Sequence, residues 1–194
     1  MAMAADALTG GFTDAPRQSA RAFRAALEAM ARPGSVHPLT DLAQAPDPVS
    51  PAAATLLLVL CDPETPVFLA GAHDCAAVRD WITFHTGAPL APAAEATFAL
   101  GPWQALMPLS AYAPGTPEYP DRSATLIVDG DFAGQPVTLS GPGIETTTHA
   151  VLPDIAALQA NAAGFPLGLD FYFTSGAELM ALPRSTRIAS AEES

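Results

Sequence analysis

Phe165-Pro166-Leu167-Gly168-Leu169-Asp170 leads into Phe171-Tyr172-Phe173-Thr174, then Ser175-Gly176, and returns as Glu178-Leu179-Met180-Ala181-Leu182. An aromatic and apolar run, a Ser-Gly pair and a second apolar run form the pattern of a β-hairpin closed by a tight turn. Pro183 ends the second strand, because proline has no N–H to give to a ladder. Arg184-Ser185-Thr186-Arg187-Ile188 follows, the densest polar cluster of the chain's last quarter. The hairpin requires antiparallel pairing, so any sheet built around it contains at least one antiparallel step.

Upstream of the hairpin, helices and strands alternate. Residues 1–13 read as a loose arm. Asp14 can cap a helix with Pro16 in its first turn. Ala20, Phe23, Leu27 and Met30 recur at three- and four-residue steps and form the expected core stripe. Arg17, Arg21, Arg24 and Glu28 lie off that stripe, with Arg24 and Glu28 spaced to pair, and Pro33-Gly34 stops the helix. Residues 43–51 are a proline-rich loop. Residues 55–60 form an unbroken apolar run, expected as a strand covered on both faces. Residues 67–70 are a second strand. From Asp74 a helix sets Val78, Trp81, Ile82 and His85 on one face. Residues 97–100, 125–128 and 137–139 read as strands, residues 103–109 fit either state, and residues 112–120 read as a long loop or flap. Asp154 caps a helix that Gly164 ends, and residues 191–194 are expected to fray. The result is one domain of α/β class: three layers, α/β/α, around a mixed sheet.

Composition narrows the function. With 194 residues, 49% hydrophobic and 14% charged, the chain is long enough for a core and is not a disordered one. The formal charge of −12 argues against a nucleic-acid surface and against an anionic membrane surface, both of which need clustered cations. No lysine is present, and all eight cations are arginine. That excludes a Schiff-base lysine for pyridoxal phosphate and a P-loop lysine for an ordinary ATPase. Cys61 and Cys75 read as buried free thiols in a reducing cytoplasm. The first residues lack the basic and apolar regions of a signal peptide, and the longest apolar run, residues 56–61, falls far short of the ~20 residues a membrane helix needs.

Catalytic signals are few. His37, His73, His85 and His149 are scattered without ligand spacing, so no metal site is expected, and they read as polar boundary residues. No G-x-S-x-G elbow occurs, and no catalytic residue is assigned. Gly141-Pro142-Gly143 after a strand could turn N–H groups toward an anion, but it reads first as a tight turn. Arg184 and Arg187, with Ser185 and Thr186 between them, suit a phosphate or carboxylate fork, a partner surface or an internal bridge, for which Asp170 is a candidate. His85 reads as a helix-end residue favoured by the helix dipole. Removal of Arg184 and Arg187 together is expected to weaken assembly or function and to spare the fold.

The 165–170 motif, the hairpin and the 182–188 segment together resemble the C-terminal signature of the PhnH family, a subunit of the bacterial carbon–phosphorus lyase core complex. The rest agrees in order: Gln18-Ser19, Phe23-Arg24, Met30 and Pro33-Gly34; the run at 55–60, Asp62 and Thr65-Pro66-Val67-Phe68-Leu69; Phe84-His85-Thr86-Gly87-Ala88-Pro89-Leu90; Ala124-Thr125-Leu126-Ile127; and Leu139-Ser140-Gly141-Pro142-Gly143-Ile144. The resemblance spans roughly residues 17–188. It implies a fold related to the large domain of pyridoxal-phosphate transferases without the cofactor. It also implies a homodimer that docks to sister subunits, and an accessory role without cofactor of its own in joining methylphosphonate to the ribose of ATP. A stand-alone phosphoester- or nucleotide-processing enzyme, with Arg184, His85 and a carboxylate in one deep pocket, and a ligand-binding regulator are the alternatives.

Overall fold

A computed structural model describes residues 9–190; the first eight residues of the expected arm and the tail at 191–194 lie outside the described residues. Helix α1 is Ala15–Ala31, β1 Val36–Pro38, α2 Pro51–Leu60, β2 Val67–Leu69 and α3 Ala76–Thr86. Then come β3 Phe98–Gly101, α4 Trp103–Leu106, β4 Thr125–Asp129, β5 Gln135–Ser140 and β6 Thr148–Leu152. Helix α5 is Ile155–Ala162, and β7 Asp170–Ser175, β8 Glu178–Leu182 and β9 Arg187–Ser190 complete the chain.

Six strands form one mixed sheet in the order β1-β8-β7-β4-β3-β2. Strands β2, β3, β4 and β7 pair in parallel, the hairpin partner β8 runs against them, and the edge strand β1, antiparallel to β8, runs in their direction again. The hairpin register pairs Phe171 with Leu182 and Ser175 with Glu178. The turn is therefore Gly176-Ala177, one residue later than the Ser175-Gly176 reading, with Gly176 at φ 56° as a primed turn requires at its first position.

Side chains alternate across the sheet as the period of two demands. Ile127, Tyr172, Leu179 and Ala181 face a core made with α1, α2 and α3. Leu126, Val128, Phe171, Phe173, Met180 and Leu182 face a second core. That second face is covered by α4, α5 and a small antiparallel sheet, β6-β5-β9, so the outer layer is not the purely helical one expected from sequence.

Three expectations are corrected here. Residues 55–60 belong to a helix, not a strand. Ser50 caps it by accepting from the Ala53 N–H at 3.2 Å, and Pro51 starts it. The three alanines before Thr55 extend the segment to helix length, and its burial on nearly every side erases the polar periodicity that would have marked it. Thr55 Oγ1 donates back to the Pro51 carbonyl at 2.7 Å and accepts from the Ala43 N–H, tying the proline-rich loop to the helix. On α1, the buried residues are Ala22, Ala26 and Ala29, while Phe23 and Leu27 are exposed. Alanines let the helix approach the sheet and α2 closely, Phe23 and Leu27 are left outside, and Met30 alone of the expected stripe's large residues packs partly against the core. Glu28 pairs with Arg32 rather than with Arg24.

Candidate functional site

The polar cluster after the hairpin resolves into a post. Arg184 Nε donates to Asp170 Oδ1 at 3.1 Å, its Nη2 pairs with Asp170 Oδ2, and its Nη1 donates to the Pro120 carbonyl. The Arg184 backbone N–H also donates to Asp170 Oδ1, at 2.8 Å. The two side chains are 14% and 20% exposed, so this bridge is largely withdrawn from water. Asp170 opens β7, Arg184 follows β8, and Pro120 ends the 112–120 segment. One guanidinium thus fastens three stretches of chain. That segment is no free flap: Tyr112 is buried, and its ring meets Phe68 edge-on at 6.1 Å.

Beside the post lies a groove of about 610 Å³, at the ends of the parallel strands where Phe98, Thr125 and Asp170 begin. Its wall includes Met30, Leu60, Tyr172, Pro142, Gly143 and Ser185. Gly143 has φ 83°, and a Cβ there would stand 2.1 Å from the Ala31 carbonyl oxygen, so only glycine lets this turn meet the end of α1. Gly141 packs in the same way on the Ser185 backbone. The structure therefore brings Gly141, Gly143, Arg184 and Ser185 together. Thr186 is buried nearby, and Arg187, exposed, begins β9 opposite Ser140. The groove is mostly apolar. Its one lining carboxylate is already matched by Arg184, which leaves no convergent charge for an anionic ligand.

His85 stands apart from this groove. Its Nε2 and the Trp81 indole N–H both donate to the Thr9 carbonyl at 3.1 Å, while Gly87, at φ 70°, closes the helix. His85 thus holds the segment before α1 instead of capping α3. The pocket of Arg184, His85 and carboxylate that a stand-alone enzyme would need is not formed. The expectation that Arg184 could be removed without cost to the fold is also withdrawn, because it is a structural post.

A second polar centre escaped the sequence reading. His73 and Asp129 are each 4% exposed, and His73 Nε2 lies 3.0 Å from Asp129 Oδ2. Asp129 also accepts from the Ser50 backbone N–H at 2.8 Å and from Thr174 Oγ1 at 2.8 Å. Burial pushes the Asp129 carboxyl up, but the hydrogen bonds from His73, Ser50 and Thr174 outweigh it and hold the group below its ordinary value. An imidazole oriented by a carboxylate can serve as a general base, and the C-terminal ends of parallel strands are where open α/β sheets bind ligands. His73 is nevertheless sealed in, and the adjacent 250 Å³ cleft touches Asp129 but not His73. The pair works as a tie between the β2 exit, the ends of β4 and β7, and the α2 N-terminus. Its sequence signal was slight: an acid at the end of a strand, before Gly130, and a histidine two residues after Gly71. The reading of all four histidines as boundary residues fails at His73, and Cys75 is half-buried where burial was expected. Among the described residues no group of three or more His, Cys, Asp or Glu side chains could hold a metal ion, and no helix is long and apolar enough to cross a membrane.

Comparison with known proteins gives the family. Residues 10–189 match the family model described as bacterial phosphonate metabolism protein (PhnH). The chain is 36% identical over 189 residues to the alpha-D-ribose 1-methylphosphonate 5-triphosphate synthase subunit PhnH of Rhizobium meliloti (strain 1021), covering 93% of this chain and 94% of that protein. It is 29% identical over 191 residues to HtxG of Stutzerimonas stutzeri, a protein named as a C-P lyase subunit, covering 90% and 87%. A family match over nearly the whole chain and a full-length relative above 30% identity leave one conclusion: the chain belongs to the PhnH family.

Proposed function

We propose that this protein is an accessory, non-catalytic subunit of the carbon–phosphorus lyase machinery of phosphonate catabolism, serving the step that forms ribose 1-methylphosphonate 5-triphosphate. The end-to-end match to a synthase subunit carries the reading. The geometry supports it from the other side. The best anion-binding candidate, Arg184, is committed to Asp170, and the largest grooves are apolar. Neither the stand-alone enzyme nor the regulator gains a residue constellation from the fold.

The same reading places the protein in the cytoplasm as a homodimer docked to sister subunits. It also relates the three layers to the large domain of pyridoxal-phosphate transferases. Four parallel strands flanked by helices support that relation, while a chain without lysine cannot form the internal aldimine such enzymes use. The test is reconstitution. The assembled complex should convert methylphosphonate and ATP, and the same complex lacking this chain should not. Turnover at the full rate without it would refute the reading, and turnover by the chain alone would restore the enzyme alternative.

A further inference from the structure

Ala20, Phe23 and Leu27, three of the four residues of the apolar stripe that the sequence marks on α1, are on the outside of the molecule. Phe23 is 45% and Leu27 54% exposed, and Ala20 and Ala31, also exposed, extend the row at steps of three and four. At about 100° per residue this row points well away from the buried alanines at 22, 26 and 29. Helix α1 therefore carries two apolar seams, a small one spent on the core and a large one with no partner among the described residues. The outer seam runs without a break into the groove that Met30 and Ala31 help to line.

Charge says what fits there. Arg17, Arg21, Arg24 and Arg32 flank the outer seam on one side, half of the chain's eight cations within one helix and its end. Asp14, Glu28 and Asp41 oppose them, which leaves one cation of the four unmatched, in a chain of net charge −12. Arg17, Arg21 and Arg32 have carboxylate neighbours in Asp14, Asp41 and Glu28. Arg24, beside Phe23, makes no ion pair among the described residues. A row of large apolar side chains at heptad-like spacing, edged by arginines, suits a helix that is apolar at the same spacing and acidic along its border. A second copy is poorly suited, because antiparallel seams would set the arginine flank against itself.

We propose that the outer face of α1, centred on Phe23, Arg24 and Leu27, is a docking seam for an acidic amphipathic helix of another protein subunit. This rests on the assembly reading above, and supplies the surface that reading lacks. The test is co-expression of the full chain with the other subunits of the complex, capture through a tag on one of them, and native mass spectrometry. Phe23→Asp with Leu27→Asp should reduce the captured chain by about tenfold or more, as loss of a central apolar anchor does. Both sites are exposed, so the isolated variant should melt within about 2 °C of wild type. Arg24→Glu should weaken capture several-fold and flatten its dependence on salt. If wild type is captured and all these variants are captured equally, the seam is wrong and the subunit reading stands. If wild type is not captured, the subunit reading fails and takes the seam with it. Loss of self-association alone would assign the seam to a second copy. A large drop in melting temperature of the isolated variant would assign it to the chain's own terminal residues. Either result overturns the proposal.

Discussion

Arg184→Met asks whether the cluster after the hairpin holds the fold together or waits for a ligand. In the wild type the guanidinium donates to both oxygens of Asp170 and to the Pro120 carbonyl. The substitution keeps apolar bulk and removes all three contacts. Asp170 then retains only the backbone N–H of residue 184, and the Pro120 carbonyl loses its side-chain donor. Breaking one side of a buried pair costs about 3–5 kcal/mol, because the other charge stays desolvated. With the two side chains 14% and 20% exposed, the lower end applies, about 3 kcal/mol. In a chain of this size that lowers Tm by roughly 6–12 °C. Asp170→Asn keeps an acceptor for the backbone N–H and should cost less, about 2 kcal/mol. The double variant should cost clearly less than the two single losses together, with a coupling of about 2 kcal/mol. Urea unfolding of the four proteins, followed by circular dichroism, measures every corner of the cycle. A coupling below about 0.5 kcal/mol, the range of exposed pairs, would refute the reasoning and return Arg184 to the pool of free ligand-binding cations.

Two further outcomes follow from the buried groups. The Asp129 carboxyl is held below its ordinary 3.8, so its contribution is full above the unfolded-state value and is lost as pH falls through the folded one. Wild-type stability should therefore drop below about pH 4, and Asp129→Asn should be less stable at neutral pH but show a flatter acid limb; equal acid slopes in urea midpoints would contradict this. The Cys61 thiol is pushed up to about 12 by burial and then by the neighbouring Asp62. At pH 8 a thiol reagent should modify the half-buried Cys75 first and reach Cys61 only on unfolding, and two fast thiols in the native protein would show that the end of α2 is open.

Much of the frame was legible because local and global signals agree there. The hairpin, the strand ending at Asp129, the helix capped by Asp154 and the helix carrying Val78, Trp81 and Ile82 each have a period and a stop signal. Asp154 does accept from the Ala157 N–H, at 3.0 Å. The misses have physical reasons. Helix α2 is buried almost all round, so its sequence carries no polar face to count. Strand β1 is three residues ending in proline, and β9 has Ile188 as its one large apolar residue. Each depends on its neighbours in the sheet more than on its own propensity. The inversion of α1 is the most informative error. Amphipathic pattern assumes that the largest apolar residues go inward, whereas close helix packing here selects alanine, and the pattern that reads as core is surface.

The site was legible only where its parts are close in sequence. Asp170 and Arg184 flank one hairpin, so Asp170 could be named as a candidate partner, though the sequence left a ligand fork and a partner surface open beside it. His73 and Asp129 are 56 residues apart, and nothing but the order of parallel strands brings them together. The fate of the arginines then decides between recognition by a pocket and recognition by a face. Arg184 is spent on Asp170, Arg79 on Asp74, and Arg122 lies over the Tyr119 ring at 4.1 Å. Arg24 and Arg187 make no ion pair among the described residues, and both are on exposed surface. A pocket for a multiply charged nucleotide or phosphonate needs several cations aimed at one point. This fold instead leaves its uncommitted cations at separate places on the outside, one of them beside an exposed phenylalanine and leucine. Such a distribution can select another protein's surface.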